Sequence, residues 1–174
     1  DPDLPGQKPF ESKGGVRHVQ SYIYLPGIIT HDDQMEGIVL KGVGDDYDWK
    51  VINQYNESDT AWTTLGDDEL IISRITADRL RLKQDDKLIL HFVREGKQLQ
   101  RRFSIKGIYK TGLEENDAKF AIASIQRVRD VLKWDSTKVS GLEISIDNID
   151  DLDLITEYIY REEIPAHLYA ENIK

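Results

Sequence analysis

Cysteine is absent from all 174 residues, which excludes both a disulfide framework and a thiolate metal site. No stretch approaches the ~20 apolar residues that a membrane-spanning helix needs, and no signal peptide is visible. Positive charge is in the minority: 23 Lys and Arg stand against 32 Asp and Glu, a net charge of −9. That balance argues against nucleic acid or an anionic membrane surface as a partner. Histidine is scarce, and His18, His31, His91 and His167 show no paired helical spacing for zinc. No Gly-x-Ser-x-Gly elbow frames a serine, and no phosphate-binding GKS or GKT occurs. Gly42-Val43-Gly44 follows a strand-like run, but the third glycine of a dinucleotide fingerprint would fall at Tyr47. The acidic runs Asp45–Asp48 and Asp147–Asp153 do not fit an EF-hand; the second puts Ile149 at a ligand position and lacks the central glycine. The sequence thus anchors no enzyme, cofactor or metal, and solvated turns and a capped helix account for these carboxylates.

What is present is a strand–turn–strand–helix unit from Arg102 to Trp134. Phe103, Ile105 and Tyr109 alternate with Arg102, Ser104 and Lys106, the period-2 pattern of a half-buried strand. Thr111 to Asp117 reads as a polar turn, Phe120–Ala123 as a strand, and Ser124 as the N-cap of a helix carrying Ile125, Val128 and Leu132. Upstream, Val16–Thr30 reads as a strand with a bend or bulge at Pro26-Gly27, since both residues disrupt a ladder. His31–Gln34 is a hairpin turn and Glu36–Val43 the returning strand; Gly44–Leu65 shows no clear pattern. Glu69–Ser73 is a short strand, with Ser73 capping a helix to Leu82. Leu88–Val93 and Leu99–Tyr109 form a hairpin. Val139–Ile146 is a strand, and Asn148–Arg161 an amphipathic helix on Ile149, Leu152, Ile155 and Ile159. Asp150, Asp151 and Asp153 favour its N-terminal end. Pro165 stops it, and His167–Ala170 is a last strand. Residues 1–15 are rich in Pro, Gly and charge and are expected to be loosely ordered. No internal repeat and no low-complexity tract is visible.

The hairpin tip stands out. Arg94, Lys97, Arg101 and Arg102, with Glu95, Gly96 and Gln98 between them, make a basic island in an acidic chain. Such an island suits an acidic partner, although charges also keep a hairpin edge soluble and unpaired.

Lys106-Gly107-Ile108-Tyr109, followed by Gly112-Leu113-Glu114-Glu115-Asn116-Asp117, resembles the extracytoplasmic core domain of FtsX-like and MacB-like ABC-transporter permeases, lipoprotein-releasing permeases most of all. Leu70–Ser73 to Leu80, Lys83–Leu88, and Leu40–Val43 look like the segments that precede it in that family. The resemblance spans Val16 to Tyr160. It implies an α+β fold of two lobes: a discontinuous porter-like lobe, residues 1–46 and 139–174, with a sabre-like lobe, residues 47–138, inserted into it. It implies a periplasmic domain of an inner-membrane protein whose ends point to the membrane. Its implied partners are a cytoplasmic ATP-binding subunit, a second permease copy, and a lipoprotein or its periplasmic chaperone. In lipoprotein-releasing permeases one hairpin extends into a chaperone-docking hook; here the hairpin at Arg94–Arg102 is short and lacks the proline-containing extension. The alternative from the residues alone is a stand-alone extracytoplasmic module binding a small ligand or cation.

Overall fold

A computed structural model describes residues 14–159; the N-terminal segment before them, Pro165, His167 and the expected strand His167–Ala170 lie outside the described residues. In chain order the elements are β1 (Val16–His31), β2 (Gln34–Val43), α1 (Trp49–Asn53), β3 (Glu69–Ser73), α2 (Arg74–Leu80), β4 (Lys87–Arg94), β5 (Lys97–Tyr109), α3 (Glu114–Lys119), β6 (Phe120–Ser124), α4 (Ile125–Leu132), β7 (Gly141–Ile146), a 3-10 turn (Ile149–Asp151) and α5 (Leu152–Tyr158).

Two antiparallel hairpins dominate. β1 and β2 pair from Tyr22↔Val43 to His31↔Gln34, and β4 and β5 from Lys87↔Ser104 to Arg94↔Lys97. The second hairpin turns on Glu95 (φ 51) and Gly96 (φ 74), both left-handed, as a two-residue turn that matches strand twist requires. The bend expected at Pro26-Gly27 does not interrupt the β1–β2 ladder, whose register passes through both residues unshifted. Proline has no N–H to give, and it is the ladder on the other edge of β1, to β4, that covers only Ile28–Thr30.

Each hairpin has a companion strand that runs straight into a serine-capped helix. β3 leads into α2, with Ser73 Oγ accepting from the Thr76 N–H at 3.1 Å. β6 leads into α4, with Ser124 Oγ accepting from the Gln126 N–H at 3.2 Å. Both helices end on a left-handed basic residue, Arg81 (φ 53) and Lys133 (φ 57).

The pairing order closes a ring, β1–β2–β6–β3–β5–β4 and back to β1, with β7 alongside β1. β2 runs parallel to β6, and β3 parallel to β5, so each companion strand pairs with the other hairpin. The two halves meet at two narrow seams, Ile28–Thr30 against β4 and Leu70–Ile71 against β6. A pseudo-two-fold axis runs through both. A shift of 51 (124 − 73) carries Ser73 onto Ser124 and Ile71 onto Ile122, and those two isoleucines face each other across the seam. At the other seam a shift of 60 carries Ile29 and Thr30 onto Ile89 and Leu90, and the observed pairs are Ile29↔Leu90 and Thr30↔Ile89. The helix ends follow the same symmetry. His31 Nδ1 donates to the Leu80 carbonyl at 3.0 Å, and Arg94 Nη1 to the Val131 carbonyl at 3.0 Å, with 80 + 51 = 131. No repeat is visible in the sequence, yet the topology is a doubled one.

The inside of the ring is apolar and closed off by the helices: Ile23, Leu40, Leu70, Leu90, Phe103 and Ile105 pack with Ala77, Leu80 and Val128, each at most 2% exposed. The symmetry breaks in the connections. Between β2 and β3 run 25 residues (68 − 43), against 10 (119 − 109) between β5 and β6. The longer connection, the part of the sequence without a pattern, folds back over the outside of β3 and β6, where Trp62 and Ile52 bury Ile71, Ile122 and Tyr109. Tyr109 does not share a face with Phe103 and Ile105 as its spacing suggests. The register with β3 shifts between Leu70 and Ile71, opposite Lys106, and the extra residue turns the rest of β5 over. The expected turn Thr111–Asp117 is in part a helix, α3, with Glu114, Glu115 and Asp117 in its first turn. There carboxylates favour the helix dipole instead of breaking the chain.

Beyond the ring, β7 pairs with the first half of β1 from Val16↔Ile146 to Tyr22↔Gly141. Ile155 and Ile159 of the α5 region cover Val19, Leu142, Ile144 and Ile146. Ile149, placed by its spacing on the apolar face, is instead 62% exposed, because the helix proper starts at Leu152 and the residues before it form the 3-10 turn. The whole is a mixed α+β fold in which sheet dominates.

Candidate partner interface

The basic residues of the hairpin tip do not converge. Along β4 and β5, Arg94 lies directly opposite Lys97, and Arg101 opposite Leu90, on the face shared with Phe92. Arg102 lies opposite Ile89, on the other face. Glu95 and Gly96 form the turn, Glu95 standing 3.9 Å from Arg94, and Gln98 pairs with Val93 on the face of Arg102. Arg94 is also spoken for, since its guanidinium caps the C-terminal end of α4 at Val131 and complements the helix dipole there. Arg101 donates to the neighbouring Gln100 carbonyl at 2.8 Å. Arg94→Ala is therefore expected to cost about 1 kcal/mol, the worth of one charge-assisted hydrogen bond. Lys97→Ala should stay within about 0.5 kcal/mol, as for exposed positions generally. Urea unfolding midpoints of the two variants check this.

A second constellation, which the sequence did not announce, joins the ring to β7. Lys41 Nζ of β2 stands 2.6 Å from Glu143 Oε1 of β7 and 5.8 Å from the ring centroids of both Tyr22 and Tyr47. Gln20 Nε2 donates to the other Glu143 oxygen at 2.7 Å, while Gln20 Oε1 accepts from the Asp48 N–H at 2.8 Å. Tyr22, Tyr24 and Phe120 continue as a row of tilted rings with centroids 4.6 and 5.4 Å apart. The signal that could have found it is the Tyr22-Ile23-Tyr24 spacing, since alternate residues of a strand share a face.

Burial raises the Tyr24 hydroxyl to about 12, helped by the nearby Tyr22 and Glu143. Burial likewise pushes Tyr47 and Tyr109 above the usual tyrosine range, with Glu143 and Asp48 adding for the first, and Asp117 and Tyr47 for the second. In the unfolded chain these phenols ionise near 10. Their neutral forms therefore support the fold fully below pH ~10, and that support is lost as pH rises through the folded values. Melting temperature is expected to fall steeply above pH ~10, ahead of tyrosinate absorbance in the native state.

Asp46, Asp48, His18 and His91, weighed as ligands, have structural roles. Asp46 Oδ2 accepts from the Ser21 N–H at 2.7 Å and from its hydroxyl at 3.0 Å; Asp48 caps α1. His18 bonds the Asp46 carbonyl at 2.6 Å, and His91 pairs with the Thr30 hydroxyl at 2.8 Å. Among the described residues no three such side chains are grouped to hold a metal ion, and no helix is long and apolar enough to cross a membrane.

The geometry thus defines a class: a mixed α+β body with a pseudo-two-fold strand ring and a β7/α5 layer along one strand. No protein-family model matches the sequence, and no curated protein matches it. Solved structures do share the fold. The extracellular domain of the noncanonic ABC-type transporter YknZ from Gram-positive bacteria superposes with a TM-score of 0.59 at 13% identity, over 89% of this chain and 79% of that one. The periplasmic region of MacB from Actinobacillus actinomycetemcomitans gives a TM-score of 0.57 at 11% identity, over 87% of this chain and 70% of that one. The fold of this chain is the fold of those extracytoplasmic domains.

Proposed function

We propose that this chain is the extracytoplasmic domain of a MacB-like ABC-transporter permease, held on the periplasmic side of the inner membrane and carrying no catalytic activity of its own. The observation that carries the reading is the extent of the shared fold, nearly nine-tenths of the chain, with the extracellular domain of an ABC-type transporter and with the periplasmic region of MacB. In this reading the β7/α5 layer belongs to the porter-like lobe, residues 1–46 and 139–174, and the sabre-like lobe is residues 47–138. The strand ladders β1–β4 and β2–β6 would then bind one lobe to the other. ATP hydrolysis in a cytoplasmic subunit would move the domain as part of a permease dimer, with lipoprotein release or export as the task. A body closed into one ring of paired strands suits the passing on of displacement.

The test is affinity purification of the tagged full-length protein from native membranes. Recovery with a subunit containing a phosphate-binding loop is the expected result, and a trapped lipoprotein or chaperone would identify the branch. Recovery as a solitary soluble protein would overturn the reading and leave a stand-alone binding module.

A further inference from the structure

The charged hairpin residues that share no face do share an edge. β5 pairs with β4 from Lys97 to Ser104, but with β3 only from Ser104 to Tyr109. Over residues 97–103 its second edge therefore has no partner strand among the described residues. In an antiparallel ladder a residue turns its N–H and C=O to one edge, and its neighbours turn theirs to the other. The Ser104 N–H donates to the Asp68 carbonyl at 2.8 Å, on the β3 side. The main-chain groups of Gln98, Gln100 and Arg102 share that parity and point to the open edge, and all three residues are exposed. The Gln100 carbonyl accepts from the Arg101 guanidinium beside it at 2.8 Å, a bond that an incoming N–H can replace. Neither Gly nor Pro interrupts the stretch, and the slip in β5 comes later, opposite Lys106. The other open edges of the ring are shorter: 25–27 on β1, 35–38 on β2 and 92–94 on β4.

The charge along this edge has one sign. Residues 97–103 carry Lys97, Arg101 and Arg102 and no carboxylate, and the first acids along the chain on either side are Glu95 and Glu114. Glu95 stands 3.9 Å from Arg94 at the turn. Three carboxylates gather where the open edge meets β3, and each has a partner. Asp67 accepts from the Ser124 hydroxyl at 2.6 Å, while Asp68 and Asp130 both face the Arg127 guanidinium, the second at 3.8 Å. Asp85 and Asp86 bond Ile105 on the opposite edge of β5. Cations spread over both faces of one strand make no pocket, but an added strand meets both faces, because its own side chains alternate. Such charges also deter self-pairing: two copies joined edge to edge would crowd Lys97, Arg101 and Arg102 of one against those of the other. For an acidic strand the same charges are attractive, and the main chain supplies the register.

We propose that the open edge of β5 at Gln98, Gln100 and Arg102 takes an extended, acidic segment of another polypeptide as an added strand. The main chain of that segment bonds the N–H and C=O groups of these three residues. Its carboxylates reach Arg102 on one face and Lys97 and Arg101 on the other. The inference rests on the edge and its charges, and is independent of the transporter reading.

The test is an NMR titration of the 174-residue chain, with amide hydrogen exchange, against three synthetic peptides of equal length. The first is built of Val, Thr and Glu, and the second has Lys in place of each Glu. The third keeps every Glu but has Pro at alternate positions, so that one of its edges cannot donate. The expected result is binding of the first peptide tighter than either of the others by about ten-fold or more, with exchange slowed at the Gln98, Gln100 and Arg102 amides. Gln100→Pro removes one open N–H while leaving the ladder to β4 in place, and Arg102→Glu reverses one flanking charge. Each should weaken binding about ten-fold with the melting temperature nearly unchanged. Equal affinity for the first peptide and either of the others, slowed exchange on another edge, full affinity in both folded variants, or no binding would overturn the proposal. So would slowing of the same amides with chain concentration alone, which would make a second copy the occupant.

Discussion

Replacing Gly107 with alanine is expected to destabilise the fold by about 1–3 kcal/mol, as overpacking of a filled site does, without removing a single contact. A Cβ at position 107 would sit 2.3 Å from Trp62 Cζ2 and 2.6 Å from Nε1, inside any tolerable contact. The indole cannot simply swing away. Trp62 N–H donates to Asn53 Oδ1 at 2.8 Å and its carbonyl accepts from Asn53 Nδ2 at 2.7 Å, so the backbone beneath the ring is clamped on both sides. Trp62→Ala should cost more, about 3–5 kcal/mol, because the 4%-exposed indole covers the seam at Ile71 and Ile122. The two effects share one cause, so the double variant should be little worse than Trp62→Ala alone, with a coupling of about 0.5–3 kcal/mol. Chemical denaturation of the three variants measures it. Strict additivity would mean that Gly107 matters for some reason other than the indole above it.

Asp117→Ala should be of similar size, about 2–4 kcal/mol, through a different mechanism. The carboxylate is 1% exposed and accepts from the Thr111 hydroxyl at 2.6 Å, the Thr111 N–H at 3.1 Å and the Gly112 N–H at 3.2 Å. Its removal leaves the half-buried Thr111 N–H and the exposed Gly112 N–H without that acceptor, and a donor shut off from water costs about 1–3 kcal/mol when orphaned. Asp117→Asn keeps one acceptor oxygen and should lose roughly half as much. Hydrogen exchange distinguishes this from general loosening: the Thr111 and Gly112 amides should lose protection selectively in the alanine variant. If their rates rise only in step with global stability, the carboxylate does not act through those amides.

The local grammar of the fold was legible wherever one residue sufficed to set it. Ser73 and Ser124 cap the helices they precede, and the β4–β5 turn falls on Glu95-Gly96. The doubled topology was not, because a pseudo-symmetric ring constrains only burial and caps. Ile71 and Ile122 coincide, but Ile72 coincides with Ala123 and Arg74 with Ile125, so identity is lost while the pattern apolar strand, serine, helix, basic left-handed end survives. The bulge at Lys106 was invisible for a related reason: alternation reads as continuous until a neighbouring strand fixes where it slips. Of the hairpin tip, the charges were legible but their faces were not, since one register decides which side Arg101 and Arg102 take.

β1 has one more consequence, for the order in which the protein can be made. Its first half waits for a partner, β7, that emerges from the ribosome well after it, since Val16 pairs with Ile146, 130 residues later (146 − 16). Synthesis at about 5–20 residues per second leaves that edge open for some 6–26 seconds. In the interval the nearer contacts come first: β2 zips onto Tyr22–His31, and the Asp46 carboxylate reaches the Ser21 amide. A nascent chain halted before β7 would therefore present Val19 and its neighbours uncovered.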